Sequence, residues 1–309
     1  MSTKPGAKAA VINLFRRGGS DEDEEVQIGP AIAGKAAAPA AGPELSGLDG
    51  RTPLVLLAGA GKTGKSTFAR WYGGVLAEQG RAVMIGAVDA GNRTLVRYFD
   101  GVHQPTALDP ADPSREVESR DPVVMARWFR SLLDFEIATP TPALVDLGGN
   151  DRVLPNQLEK TPDLVEALEA AKVAPVLLFF VGPRLDDLDI VATLDGLGFQ
   201  PRHTAIVLNH GAVDSTRDPV EAFAPIRRHR VFRSVVERGA AVVEMPALDP
   251  DVADAIERKV LHFALARDGK VPSGRKVTPL GGLDRSHTRA WMDRMEAAFG
   301  PLIRAKWLP

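Results

Sequence analysis

The chain has 309 residues, 44% hydrophobic and 25% charged, with a formal net charge of −2; this fits one large α/β domain, or a domain with tails, and gives no global pull toward nucleic acid or membrane. There is no cysteine, which excludes disulfides, thiolate zinc sites, iron–sulfur clusters and cysteine nucleophiles. The longest apolar run, Val173 to Val181, is far short of the roughly 20 residues a membrane span needs; with no signal-peptide pattern at the N-terminus, the expected location is cytoplasmic.

Residues 1–50 show no periodic apolar face. Positions 20–25 are an acidic run and 31–43 are rich in Ala, Gly and Pro, so a disordered N-terminal tail is expected. Within it, residues 9–17 form a small apolar–basic island, read as part of that tail rather than as a docking peptide or membrane contact. Residues 54–58 read as a buried strand. From Thr67 onward, Phe68, Trp71, Tyr72, Val75 and Leu76 keep the spacing of an amphipathic helix that ends near Gly80. Residues 81–89 read as a second strand, 123–133 as a helix and 143–146 as a strand. Strand-like runs follow at 174–181, 204–209 and 241–245, each separated by enough chain for a helix. This alternation predicts an α/β fold, a mostly parallel sheet with helices on both faces.

Residues 268–283 read as a linker. A last helix is expected over 286–307, with Trp291, Met295, Phe299, Leu302 and Ile303 on one face and a kink or break at Pro301. That stripe reads as core rather than as a membrane anchor. The expected organisation is a tail over 1–50, a core domain over 51–267, and a linker with a C-terminal helix over 268–309.

Residues 59–66 spell Gly-Ala-Gly-Lys-Thr-Gly-Lys-Ser, a full match to the phosphate-binding pattern G-x-x-x-x-G-K-[ST]. It lies between a predicted strand and a predicted helix, the context that makes the pattern specific and defines a three-layer P-loop NTPase fold. Gly59, Gly61 and Gly64 let the backbone curl so that successive N–H groups face phosphate oxygens, along with Ala60, Lys62, Thr63 and Thr67 of the same segment. Lys65 is placed for the β- and γ-phosphates, and the Ser66 hydroxyl for Mg²⁺. Asp146 ends an apolar strand, which sets a carboxylate beside that metal shell. Small residues follow at Leu147-Gly148-Gly149-Asn150 and suit a mobile loop near the γ-phosphate.

Two further segments, 88–95 (Val-Asp-Ala-Gly-Asn-Arg-Thr-Leu) and 206–210 (Ile-Val-Leu-Asn-His), complete an order and spacing in which residues 53–250 resemble the ParA/MinD branch of P-loop ATPases. The resemblance implies ATP and Mg²⁺ as ligands and slow hydrolysis. It implies catalytic roles for Lys65 and for Asp89, which would orient the attacking water, and an adenine contact for Asn209. A guanine-reading N-K-x-D is absent, since His210, Gly211 and Ala212 follow Asn209, so ATP is expected over GTP. The chain departs from the family at three places. The signature lysine at the loop's second position is Ala60, and Lys62 either replaces it or is a variable loop residue. The family's first acid of the second strand falls on Ala87. Leu147-Gly148-Gly149 stands where a proline usually follows the Asp146 acid. The first and third of these departures are similar to those of divergent members linked to plasmid stability and conjugative transfer.

The resemblance further implies an ATP-dependent homodimer that binds non-specific DNA or a protein partner while partitioning or mobilising DNA or positioning a cellular machine. Arg227, Arg228, Arg230 and Arg233, with His229 and Arg238 nearby, form a basic cluster that is either a DNA-binding face or a solvated one. Asp186, Asp187 and Asp189 read as caps of a following helix rather than as contacts for nucleotide or a partner. Two other readings stay open: a small-molecule kinase or ATP-dependent ligase on the same fold, and a non-hydrolysing ATP-binding adaptor.

Overall fold

The computed structural model describes residues 45–88, 95–149 and 152–309. The acidic run and the Ala/Gly/Pro stretch of the N-terminus, together with Asp89 and Asn150, lie outside the described residues.

The first strand, β1 (Thr52–Ala58), leads through residues 59–64 into α1 (Lys65–Glu78) and then β2 (Met84–Ala87). β2 is shorter than its apolar pattern predicts because the Arg81 amide bonds back to the Leu76 carbonyl at 3.0 Å. With Gly80 in the left-handed region (φ 64°), residues 80–81 belong to the helix terminus rather than to the strand. A short antiparallel pair, β3 (Thr106–Leu108) and β4 (Glu116–Glu118), stands apart from the main sheet. Three-residue strands are too short to show a period, which is why the sequence does not reveal them.

Next come α2 (Pro122–Ala138), β5 (Ala143–Asp146), α3 (Val153–Lys160), α4 (Leu164–Ala170) and β6 (Val173–Val181). The chain continues through α5 (Asp189–Gly196), β7 (His203–Asn209), α6 (Pro219–Arg228), α7 (Arg230–Glu237) and β8 (Ala241–Met245). It closes with α8 (Pro250–Arg258), α9 (Phe263–Asp268) and α10 (Gly282–Arg304). Several helices start on an Asp-Pro pair. Asp121, Asp218 and Asp249 each accept a backbone N–H of the first turn, and the proline after each fills a position whose own N–H has no helical partner.

Six strands form one all-parallel sheet in the order β2-β5-β1-β6-β7-β8. Alternation along β1 divides the core. Val55 and Leu57 face α1, α8, α9 and α10 through Phe68, Ile256, Ala266 and Trp291. Leu54, Leu56 and Ala58 face the opposite layer, where Phe129, Leu158, Leu168, Val191, Phe223 and Val235 pack. The molecule is therefore a three-layer α/β fold. In register, Leu57 of β1 lies between Asp146 of β5 and Leu178 of β6, so β5 and β1 end within one residue of each other where the Gly-rich loop begins, while β6 runs on to Val181.

The expected boundaries need two corrections. α10 is not an appendage: Trp291, Met295, Phe299 and Leu302 are buried in the same cluster as Phe68 and Trp71 of α1. It also runs through Pro301 without a break. Pro301 falls in the last turn, where its missing N–H forfeits one hydrogen bond while Phe299 and Leu302 hold the helix on either side. At the other end, residues 45–50, grouped with the tail by composition, pack onto the body. Leu48 is 4% exposed, and the Ser46 carbonyl accepts the Trp307 indole N–H at 2.7 Å. Among the described residues, no helix is long and apolar enough to cross a membrane.

Candidate functional site

The loop over 59–64 closes on itself before any ligand is considered. The Lys65 ammonium, 5% exposed, donates to the Gly59 carbonyl at 2.8 Å and the Ala60 carbonyl at 2.9 Å. The Thr63 hydroxyl donates to that Ala60 carbonyl as well, at 2.8 Å. Lys62 is exposed in the left-handed region, with φ 65°. Gly64 precedes α1 with φ 99°, and a Cβ there would stand 2.6 Å from Asn209 Nδ2, so both backbone and space require glycine.

Ser66 and Asp146 are 80 residues apart in sequence, and the Ser66 hydroxyl donates to Asp146 Oδ2 at 2.8 Å. The other carboxylate oxygen accepts the Gly148 N–H at 3.1 Å. A hydroxyl and a carboxylate held edge to edge at the mouth of a phosphate loop are the hard oxygen donors that magnesium takes, so these two residues fit the metal role. Gly149 rests directly on the loop: a Cβ on it would lie 2.7 Å from Gly61 Cα. The backbone after Asp146 is thereby pressed against the segment that would cradle phosphate.

Asn209, at the end of β7, is 6% exposed. Its amide donates to the Thr63 carbonyl at 2.9 Å and accepts the Gly211 N–H at 2.9 Å. One amide N–H is thus spent on holding the loop, and the second points to no described partner. A cleft of about 280 Å³ opens beside the loop. Asn209, Gly211, Met245, Pro246, Leu248 and Trp291 are among the residues that line it. The Trp291 indole N–H donates to the Pro246 carbonyl at 3.0 Å, which ties α10 to the cleft wall. Sequence reasoning misses Pro246 and Trp291. The available signal is an apolar strand running into proline at Met245-Pro246, but nothing local connects it to a residue 45 positions later.

Asp89 lies outside the described residues. The strand before it ends beside Asp146, with Ala87 paired to Asp146 and the Val88 amide bonded to the Asp146 carbonyl at 2.9 Å. The basic cluster is split rather than continuous. α6 ends at Arg228, His229 is extended, and α7 begins at Arg230. Arg227 is engaged by Glu244, whose other oxygen lies 2.7 Å from His210 Nε2. Arg238 is engaged by Asp195. The contacts with Arg227 and His210 hold the Glu244 carboxyl below its usual range even though burial pushes the other way. Arg228, Arg230 and Arg233 are exposed and form no ion pair among the described residues.

The acids after β6 do not cap as expected. Neither the short 3₁₀ turn Leu185–Leu188 nor α5 carries a side-chain cap. Asp187 turns inward, 3% exposed, 3.5 Å from Arg184. Asp186 and Asp189 instead line a second hollow of about 450 Å³ with Gly148, Gly149, Arg152 and Arg184.

An all-parallel sheet with a glycine-rich loop at the end of its central strand, and a serine–aspartate pair facing that loop, defines a P-loop nucleotide-binding fold. No family model matches the chain, and no curated protein matches it in sequence. Among solved structures, the MinD cell division protein of Aquifex aeolicus is similar over 78% of this chain and 98% of its own length, at 14% identity and a TM-score of 0.37. So distant a likeness carries no argument about function, which rests on the geometry of the site.

Proposed function

We propose that the chain is a ParA/MinD-like, magnesium-dependent ATPase that works as a nucleotide-gated switch. The observation that carries the reading is the Ser66–Asp146 hydrogen bond at 2.8 Å, which joins the phosphate loop to the strand acid. Lys65 would leave the Gly59 and Ala60 carbonyls and turn to the β- and γ-phosphates. Ser66 and Asp146 would hold Mg²⁺. When bound, the metal would supply positive charge that neutralises the phosphates. Asn209 keeps the loop in place and offers its second amide N–H to an adenine ring lodged against Pro246. Asp89, in the role the family resemblance assigns, would orient the attacking water. Gly149, seated on Gly61, would withdraw as the γ-phosphate enters, coupling loop position to nucleotide state.

Such a switch would act in the cytoplasm as an ATP-dependent homodimer. Its output would be DNA partition or mobilisation, or the positioning of a cellular machine, by way of non-specific DNA or a protein partner. Arg227 is taken up by Glu244, which leaves Arg228, Arg230 and Arg233 for phosphate contacts. ATP binding and steady-state turnover of the wild type and Lys65→Ala, with and without duplex DNA, test the reading. Slow magnesium-dependent turnover is expected, abolished in Lys65→Ala; tight ATP binding by that variant would refute the loop's role. If the arginines carry DNA, replacing all three with alanine lowers the slope of log K against log salt by roughly three units, since each phosphate contact adds about 0.9. An unchanged slope would leave them as a solvated face.

A further inference from the structure

Arg70 lies on α1 one turn beyond Ser66 and lines the same cleft as Ser66 and Thr67. It is only 7% exposed. Its guanidinium carbon stands 3.9 Å from the centre of the Tyr98 ring and 5.1 Å from that of Phe263. Among the described residues, neither Nε nor Nη2 has a hydrogen-bond partner. The acid whose field reaches it, Glu257, is an exposed residue of the cleft and forms no ion pair with it. No step of the proposed switch uses this arginine.

A buried guanidinium with two unsatisfied donors is costly, because each unmade hydrogen bond forfeits the desolvation of its group. Aromatic faces offset part of that cost. The two vacant atoms are also a particular pair. Nε–H and Nη2–H form one edge of the planar fork, the edge that takes two oxygens of a single phosphate or carboxylate. In the proposed site Lys65 would serve the β- and γ-phosphates and Ser66 the metal, whereas Asn209 and Pro246 would flank the base. The phosphate left without a side-chain partner is the one joined to the ribose.

We propose that Arg70 is a ligand-binding residue for the α-phosphate of the nucleotide, an inference that rests on nucleotide binding at the loop. Both donor atoms are buried beside Tyr98 and Phe263, and in the proposed site this setting is the side chain's resting position. Rotation about the terminal side-chain bonds carries the fork from Tyr98 and Phe263 to the phosphate. The nucleotide then relieves an unmet hydrogen-bonding demand that the ligand-free chain carries, and the neighbourhood of Tyr98 changes as it binds.

Calorimetric titration of the wild type, Arg70→Met and Arg70→Lys with ADP and with 2′,3′-dideoxy-ADP tests this. Arg70→Met is expected to weaken both ligands by the same factor, about tenfold to a hundredfold for a charged hydrogen-bonding group. Arg70→Lys, a point charge without the fork, is expected to weaken them less. Equal ADP affinity in the wild type and Arg70→Met overturns the inference while leaving the nucleotide site intact. A loss seen with ADP but absent with the dideoxy ligand overturns it in favour of a ribose contact. A wild type that binds neither ligand overturns nucleotide binding and this inference together. Should Arg70→Met fail to fold, the wild type labelled with 3-fluorotyrosine decides. The chain has two tyrosines, and Tyr98→Phe assigns their ¹⁹F signals. A shift of the Tyr98 signal with ADP is expected, and a stationary signal at saturating ADP overturns the proposal.

Discussion

At the scale of single residues, Gly64 at the loop–helix junction and Gly74 within the helix behave oppositely when given a side chain. Gly64 has φ 99° and would place a Cβ 2.6 Å from the Asn209 amide nitrogen, whereas Gly74, inside α1, would meet nothing within 4 Å. Gly64→Ala is expected to cost about 1–3 kcal/mol through backbone strain and to displace the loop. Gly74→Ala is expected to stabilise by about 0.5–1 kcal/mol through helix propensity. Thermal unfolding of the two variants, with an ADP titration of each, checks both; a Gly64→Ala protein of unchanged stability and affinity would show that the loop tolerates a different path. Glu136 is the other residue whose setting has a measurable consequence. It is fully buried near the end of α2 and accepts only the Thr141 N–H, at 3.2 Å. Burial pushes its carboxyl up from 4.5 to about 7. A raised carboxylate binds its proton more readily folded than unfolded, so its contribution is fully present below pH 4.5 and is lost as pH rises to about 7. Allowing for partial water access, the loss is about 1–2 kcal/mol. Glu136→Gln lacks this titration, so its melting temperature should gain on the wild type between pH 5 and 7 and run parallel above. A constant difference across that range would mean that Glu136 titrates as an exposed carboxylate does.

At the scale of elements, α10 carries Pro301 in its final turn, exposed to solvent. Pro301→Ala restores one backbone donor and is expected to stabilise by about 1 kcal/mol, short of the roughly 3 kcal/mol of a helix interior. Destabilisation on melting would mean that the ring packs in a way the helix needs. The elements also show what a sequence can carry. β1, the phosphate loop and α1 are legible because their signals are local: an apolar run, a spaced set of glycines with Lys65 and Ser66, then a helical period. Asp146 is legible as an acid closing an apolar strand. Harder to see is what holds these parts together. Asn209 reaches Thr63 across 146 positions, and its amide serves the loop before any base. Gly149 touches Gly61 only because β5 and β1 are neighbours in the sheet. The split of the arginine cluster follows from Glu244 on β8 and Asp195 on α5, neither of which is adjacent in sequence. Pattern reports what one segment is made of; pairing between segments is set by sheet order and register.

At the scale of the whole molecule, the C-terminal segment is part of the domain that carries the phosphate loop. The Phe299 ring lies 4.7 Å from that of Phe68 and 5.6 Å from that of Trp71, both on the helix that begins the phosphate site. Trp291 lies 4.6 Å from Phe263 and holds the Pro246 carbonyl at the cleft. Trp307 reaches back to Ser46, so the first and last described segments close on one another. Composition places a boundary at residue 267, because 268–283 is rich in Gly, Pro, Lys and Arg. The packing argues that nothing separable follows it. Removing residues 269–309 would expose the partners of Trp291, Met295, Phe299, Leu302, Trp307 and Leu308. At roughly 1.5–3 kcal/mol for each buried side chain, the loss is on the order of 10 kcal/mol, comparable with the entire stability of a typical domain. A chain ending at Asp268 is therefore expected to lose its cooperative thermal transition and its resistance to proteolysis, and to bind no nucleotide even though the phosphate loop is intact. A truncated protein that melts cooperatively and binds ADP would instead place α10 outside the folding unit, with the Trp291–Pro246 bond as an accessory to the site rather than one of its supports.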